Sequence, residues 1–120
     1  MSFEKYSKKR TMSEQKAAAT INKSGFILLN GKCIDEYIPK AAYVHLFFDP
    51  KERLVGLKPH GEKDRDSYSL TRIRNGTTRV IHAVVFFRHY GIVIEKTRRF
   101  EPRWDDKSGF LVLDLKTPRT

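Results

Sequence analysis

Short apolar stretches separated by polar turn residues predict a chain built mainly from β-strands. Apolar residues fill positions 26–29 and predominate in residues 110–115, whereas apolar and polar side chains alternate along residues 68–74. Both patterns are typical of strands when Gly, Asn, Asp or Ser residues bound them. Asn75 and Gly76, which follow the alternating segment, are a strong signal for a two-residue hairpin turn. We therefore expect β-hairpins along most of the chain.

Two short helices interrupt the strands in this prediction. Asn30 can accept hydrogen bonds from backbone amides and cap a helix over residues 32–37, which Pro39 would end. A second helix is predicted over residues 82–90, where Gly91 supplies the C-terminal cap. The predicted fold class is therefore mainly β with short helices.

The same order of elements occurs twice along the chain. Residues 48–57 align with residues 104–113 at a constant offset of 56, with an aromatic residue, an Asp, a turn Lys and apolar residues at matching positions. Residues 29–30 align with residues 81–82 at an offset of 52. A unit of about 40 residues is too small to bury a core of its own. We expect the two units to interdigitate around a pseudo-two-fold axis, the alternative being a chance similarity between two generic hairpins.

These units divide the chain into five segments. We expect a basic flexible tail at residues 1–18, a first unit at 19–59, a linker at 60–67, a second unit at 68–116 and a short tail at 117–120. The first tail is assigned because polar and basic residues dominate it, and the linker because it contains no apolar side chain.

The strand, glycine turn, strand, short helix and hairpin of residues 20–59 resemble the AbrB/SpoVT swapped-hairpin superfamily. Residues 68–115 are similar to a second copy, and two such units in series resemble the MraZ branch. The resemblance implies two AbrB-like swapped-hairpin units that form one pseudo-two-fold, β-barrel-like domain. It also implies DNA binding by a regulator or antitoxin, with basic residues of the first hairpin facing the DNA. Lys23 is the matching residue, since Phe26 follows Gly25 where the family often has arginine.

The charge balance of the chain is strongly basic. There are 24 Lys and Arg residues against 14 Asp and Glu, which gives a formal net charge of +10 and a pI near 9.9. Such an excess raises the local concentration of polyanions and speeds their encounter with the protein. It favours nucleic acid as the partner. Another acidic surface is an alternative partner. The charge could also serve only to keep the protein soluble.

Arginine is concentrated in the second half, where it makes up seven of the eight basic residues between residues 72 and 103. The planar guanidinium group of arginine can donate two parallel hydrogen bonds to a phosphate or to the edge of a guanine base. Period-two spacing places Arg72 and Arg74 on one face of a strand, and a two-stranded ribbon fits the DNA major groove. A solvated strand face is the alternative. The candidate nucleic-acid-binding residues are Lys23, Arg72, Arg74, Arg79, Arg88, Arg98, Arg99 and Arg103.

Two aromatic residues, Phe100 and Trp104, lie among these arginines. Exposed aromatic rings beside basic residues can stack on the bases of single-stranded nucleic acid. A domain of this size needs most of its aromatic side chains for its core, so packing is the favoured role and stacking the alternative.

Catalytic and metal-binding patterns are not found in the sequence. Cys33 is the single cysteine, so it cannot form an internal disulfide, and its place on an apolar helix stripe indicates a core residue. Cys33 and the four histidines show no C-x-x-C or H-x-x-x-H spacing, so no metal site is predicted. No phosphate-binding glycine loop or nucleophile elbow occurs. We expect neither a cofactor nor enzymatic activity.

The leading hypothesis from the sequence is a cytoplasmic DNA-binding protein. No segment resembles a signal peptide or a membrane span, so no membrane contact is expected. The protein would be a transcription regulator or nucleoid-type binder that contacts phosphates through an arginine-rich β face, with duplex DNA favoured over RNA. The alternative is an RNA-binding or accessory subunit of a ribonucleoprotein or other larger assembly, acting as a protein–protein adaptor. Tandem units are compatible with a monomeric pseudo-dimer or a homodimer.

Overall fold

The computed structural model describes residues 16–73 and 76–119, and these are mainly β, as the sequence predicts. The strands form two antiparallel five-stranded sheets, named here sheet A and sheet B. In chain order the elements are β1 (Ala19–Ile21), β2 (Phe26–Leu29), α1 (Gly31–Tyr37), β3 (Tyr43–Asp49), β4 (Leu54–His60), β5 (Tyr68–Ser69), β6 (Thr71–Arg72), β7 (Arg79–His82), α2 (Val84–His89), β8 (Arg98–Phe100), β9 (Arg103–Asp105) and β10 (Phe110–Asp114).

Sheet A joins the first hairpin of each predicted unit. Its strand order is β6-β7-β2-β1-β8, so the hairpins β1–β2 and β6–β7 meet along β2 and β7. In that central pair Ile27 lies opposite Ile81, and Leu28 lies opposite Val80. Positions 28 and 80 differ by the 52-residue offset of the repeat, so the two halves meet at equivalent positions.

Sheet B joins the second hairpin of each unit. Its strand order is β5-β3-β4-β10-β9, so the hairpins β3–β4 and β9–β10 meet along β4 and β10. Gly56 lies opposite Val112, and Leu57 lies opposite Leu111. Positions 56 and 112 differ by the other repeat offset, 56 residues, so this sheet also joins the two halves at equivalent positions.

Each outer strand of sheet A continues along the chain into an outer strand of sheet B. Only Leu70 separates β5 from β6, and only Glu101 and Pro102 separate β8 from β9. Leu70 and Pro102 are buried, so the chain passes between the sheets at two apolar corners. Such corners are typical of sheets whose strands cross at a large angle. Among the described strands the ladders stay open, so the predicted barrel-like closure is wrong.

The two corners also correct the predicted strand boundaries. The sequence predicts a single strand over the alternating residues 68–74, but this segment is divided between the two sheets at Leu70. The chain is divided in the same way between β8 and β9. A buried residue at a corner continues the period-two pattern of the strand beside it. The pattern of apolar residues therefore does not distinguish a corner from an uninterrupted strand.

The ordered domain extends into both predicted tails. Ala17 and Ala18 are buried, although the first predicted tail includes them. Near the other end, the amide of Arg119 donates to the carbonyl oxygen of Arg99, which adds a β-bridge beside β8. The rest of the first predicted tail, residues 1–15, lies outside the described residues.

The predicted cap of the first helix is confirmed. Asn30 Oδ1 accepts hydrogen bonds from the amide of Cys33 at 2.9 Å and from the amide of Ala18 at 3.0 Å, and Nδ2 donates to the carbonyl oxygen of Lys16 at 2.9 Å. An asparagine N-cap contributes about 1 kcal/mol to stability. Asn30 therefore starts α1 and also holds the segment that leads into β1.

Apolar packing, not a cap, holds α2. Ala83 at its N-cap makes no side-chain hydrogen bond. Phe86 is buried, and its ring meets Phe48 of β3 edge-on at a centroid distance of 6.5 Å. Gly91, with φ of 64°, follows the helix as predicted. The predicted start at His82 is wrong, because that residue lies in β7.

The core lies between the sheets and receives side chains from both halves of the chain. Its fully buried members include Ile21 and Ile81 of sheet A together with Leu57 and Leu111 of sheet B. Burying one such side chain contributes about 2 kcal/mol. Since each sheet takes strands from both predicted units, the two units share one core.

Candidate nucleic-acid interface

Arg72 and Arg79 lie directly opposite each other in the β6–β7 hairpin. Arg72 is exposed, whereas Arg79 is half-buried and donates from Nη1 to the carbonyl oxygen of Thr77 at 2.9 Å. Like charges at directly opposed positions of a sheet repel each other. Arg74, which the sequence predicts on the same ribbon, lies outside the described residues.

Strand β8 carries two arginines at the opposite edge of sheet A. Arg98 pairs with Ile21 and Arg99 pairs with Thr20, so the two side chains alternate between the two faces of the strand. Both arginines are exposed. The two exposed side chains therefore lie on opposite sides of β8.

A groove with a volume of about 230 Å³ opens beside Arg98. Its cationic lining residues are Arg53, Lys96 and Arg98, and Glu95 is the one acidic residue among those that line it. Phe100 and other apolar side chains complete the lining. The groove thus presents several nitrogen donors next to apolar surface, a combination that suits an anionic ligand with a hydrophobic portion.

The groove and the adjoining bridge bring together cations from distant parts of the chain. Arg53 comes from the turn between β3 and β4, where it has φ of 58° and its guanidinium lies 5.5 Å from the centroid of the Phe48 ring. Arg119 joins through its backbone bridge to Arg99. We name this set the β8-edge basic surface: Arg53, Lys96, Arg98, Arg99 and Arg119.

Three members of this surface, Arg53, Lys96 and Arg119, were not among the predicted site residues. They lie in a hairpin turn, in the loop before β8 and in a predicted tail. Only the sheet topology brings these segments together, so no local sequence signal marks them.

The predicted arginines are divided between two edges of sheet A and do not form one cluster. Arg72 is on β6 and Arg98 on β8, which are the first and last strands of the sheet. Four steps between neighbouring strands separate them, which corresponds to roughly 19 Å. This exceeds the screening length of about 8 Å at physiological salt, so the two groups act as separate charge clusters.

The remaining predicted residues lie on three different elements. Lys23 is exposed and follows β1 at the end where Ile21 pairs with Arg98. Arg103 is exposed at the start of β9, just past the corner that follows β8. Arg88 is exposed in the last turn of α2. Lys23 and Arg103 therefore flank the strand that carries Arg98.

Few of the described basic side chains are in direct contact with an acidic one. Within residues 16–73 and 76–119, Lys116 is the only lysine or arginine with a carboxylate oxygen within 4.0 Å, and its partner is Glu52 at 3.3 Å. Exposed ion pairs add little to the stability of the fold, so their scarcity mainly affects how the surface interacts with charged ligands. Most of the described cationic groups are therefore free of a direct carboxylate contact, and the net positive charge attracts a polyanion.

The two predicted stacking residues differ in their accessibility. Phe100 is only 3% exposed and belongs to the core, so no base can stack on it. Trp104 is 36% exposed, and its ring lies nearly parallel to Tyr37 at a centroid distance of 6.5 Å. Only Trp104 of this pair is available for stacking.

Cys33 is a core residue, as its place on the apolar stripe predicts. It is fully buried, and burial together with the charge of Glu36 raises the pKa of its thiol to about 12. The thiol is therefore protonated at neutral pH and is a poor nucleophile.

Comparisons with known proteins return no relative. The chain matches no family model, no curated protein and no solved structure. Among the described helices, none has the length and apolar character needed to cross a membrane.

Proposed function

We propose that this protein binds duplex DNA through the β8-edge basic surface and acts as a transcription regulator or nucleoid-type binder. The observation that carries the proposal is the scarcity of ion pairs among the described basic residues. Their counter-charge in solution is supplied by mobile ions. Phosphates would replace those ions, and the release of the condensed counterions from DNA would drive binding.

The arrangement of donors supports contact with a nucleic-acid backbone. Arg53, Lys96 and Arg98 line one groove, and Arg99 faces the other side of the same strand. Guanidinium groups form bidentate hydrogen bonds with phosphate oxygens, which lysine cannot match. A backbone that crosses β8 would meet cations on both faces of the strand.

We further propose that the two halves of the chain are swapped-hairpin units of the AbrB type. Gly25 of the β1–β2 hairpin packs against Val84 at the start of α2, whereas Gly31 at the start of α1 packs against Thr77, which lies between β6 and β7. Positions 25 and 77 differ by the 52-residue offset of the repeat. These reciprocal contacts support an exchange of hairpins, and one chain would then act as a monomeric pseudo-dimer.

Trp104 favours a second candidate function, binding to RNA or to single-stranded nucleic acid. Its ring is partly exposed, and rings of this kind stack on unpaired bases. Because Phe100 is buried, only one of the two predicted stacking residues is accessible. One aromatic ring gives little surface on which the bases of a single strand can stack. Duplex DNA is therefore the better supported ligand.

Fluorescence anisotropy distinguishes the two candidates. Labelled duplex DNA, duplex RNA and single-stranded DNA of one sequence are titrated with the protein at one salt concentration. We expect duplex DNA to bind tightest and the W104A variant to bind it as well as the wild type. Tighter binding of a single strand that W104A abolishes would favour the second candidate. No binding to any of the three ligands would reject both and favour an acidic protein partner.

A further inference from the structure

His45 and His60 of sheet B form a compact group with Asp64 of the segment that follows β4. One ligand atom of each residue lies within 4.8 Å of the others. His45 Nε2 lies 2.9 Å from Asp64 Oδ2, and His60 Nε2 lies 3.1 Å from the same oxygen. Two imidazole nitrogens thus converge on one carboxylate.

The β3–β4 hairpin positions the two histidines. Tyr43 lies opposite His60 and His45 lies opposite Lys58, so the two histidines are diagonal neighbours on one face of the sheet. Their ring centroids are 4.5 Å apart. The register of the hairpin therefore presents both rings to the same point above the sheet.

The segment after β4 brings the carboxylate to these rings. The amide of Asp64 donates to Ser67 Oγ at 2.9 Å, and the amide of Asp66 donates to Asp64 Oδ1 at 3.0 Å. These bonds shape the turn locally and leave Asp64 Oδ2 directed at the histidines. The third ligand is therefore held in place by its own loop.

We propose that His45, His60 and Asp64 bind one Zn²⁺ ion, which fixes the segment between the two halves of the chain to sheet B. Imidazole and carboxylate are ligands that zinc accepts, whereas Ca²⁺ and Mg²⁺ prefer oxygen alone. Ligands about 2.05 Å from a tetrahedral ion are separated by about 3.3 Å. The Nε2 atoms of His45 and His60 lie 2.9 Å and 3.1 Å from Asp64 Oδ2, so the three side chains would move apart only slightly to admit the ion.

The exposure of the group leaves room for the ion and a fourth ligand. The side chains of His45, His60 and Asp64 are 24%, 36% and 43% exposed. Three protein ligands with an accessible fourth position are typical of zinc sites that keep an exchangeable water. Zinc has a direct path from solvent, and water completes its coordination.

The test uses the full chain, stripped of metal with a chelator. Co²⁺ is titrated first, because tetrahedral cobalt absorbs visible light, and Zn²⁺ is then added to displace it. We expect one ion per chain. In the H60Q and D64N variants, the affinity for the ion should fall by more than about 100-fold. Loss of a residue that only hydrogen-bonds to a metal ligand weakens binding by up to about 100-fold, and loss of the ligand itself should cost more.

Matched controls separate this site from binding to surface histidines in general. H89Q removes an exposed histidine outside the group, and D66N removes a neighbouring carboxylate in the same loop. Both should bind Zn²⁺ like the wild type. Circular dichroism checks that H60Q and D64N remain folded.

A structural readout tests the role of the ion. Zn²⁺ should slow proteolysis of residues 60–67 in the wild type and have no such effect in D64N. Absence of saturable binding at millimolar Zn²⁺ would overturn the proposal, as would equal binding by the wild type and D64N. Binding without protection of the segment would overturn the assigned role.

Discussion

Gly25 and Val84 are in close contact, although they belong to different halves of the chain. A Cβ atom built on Gly25 would lie 2.8 Å from Val84 Cγ2, and the carbonyl oxygen of Gly25 accepts a hydrogen bond from the amide of Ala83 at 2.9 Å. The first hairpin is therefore seated against the start of the second helix. Gly31 and Thr77 make the reciprocal contact.

Replacement of Gly25 by alanine tests the first of these contacts. We expect G25A to lower the free energy of unfolding by about 3 kcal/mol, because φ of 86° strains a side chain and the new Cβ overlaps Val84. Urea denaturation measures the loss. G91A also has positive φ (64°) but open space around it, and should lose about 1 kcal/mol. An equal loss in the two variants would contradict the packing contribution.

Gly31 and Thr77 test the reciprocal contact. A Cβ on Gly31 would overlap Thr77 Oγ1 and lie 2.7 Å from Thr77 Cβ. We expect G31A to destabilise the protein by about 2 kcal/mol and T77G to restore most of that loss in the double variant. Denaturant unfolding of the four proteins in the cycle measures the coupling. Additive effects, or equal rescue by T78G, would show that the two residues are not in contact.

Ser108 sets the acid response of the β9–β10 turn. Its hydroxyl donates to Asp105 Oδ2 at 2.6 Å, and this bond, with amide donors from the same turn, holds the pKa of Asp105 below its usual value. Such a carboxylate stabilises the fold above its unfolded pKa, about 3.9, and the contribution is lost as the pH falls through the lower folded value.

The S108A variant should therefore raise the pKa of Asp105 toward the ordinary value. NMR titration of the Asp105 carboxyl carbon measures the change directly. S69A, which removes an exposed hydroxyl on β5, serves as the control and should leave the titration unaltered. An unchanged Asp105 midpoint in S108A would assign the lowered pKa to the backbone donors alone.

Much of the local structure is predictable from the sequence because short-range chemistry determines it. Asn30 caps α1 as its side chain allows, and Gly91 follows α2 in the positive-φ region. The repeat offset of 56 is also meaningful, since Gly56 and Val112 face each other in sheet B. The two caps depend on residues whose roles do not require knowledge of distant segments, whereas the repeat offset is a comparison of the sequence with itself.

The divided arginine surface could not be predicted in the same way. Leu70 continues the alternation of a strand, yet it is the corner that moves Arg72 to the edge of sheet A opposite Arg98. Period-two spacing fixes the face on which a side chain lies within one strand, but not the sheet to which that strand belongs.

The residue clusters likewise depend on tertiary contacts. Arg53 and Arg98 are 45 positions apart, and they meet at one groove because of the strand order. His45 and His60 meet through the register of the β3–β4 hairpin. The spacing of residues along the chain does not show that Arg53 joins Arg98 or that His45 joins His60, because tertiary contacts bring each pair together.

The salt dependence of duplex DNA binding tests the account most directly. The affinity of the wild type, the K96A/R98A/R99A variant and the R72A/R79A variant is measured by anisotropy over a series of salt concentrations. Each lost phosphate contact reduces the slope of log affinity against log salt by about 0.9. We therefore expect a slope reduced by about 2.7 in the triple variant and a wild-type slope in R72A/R79A. An unchanged slope in the triple variant, or a comparable loss in R72A/R79A, would contradict DNA binding at the β8 edge.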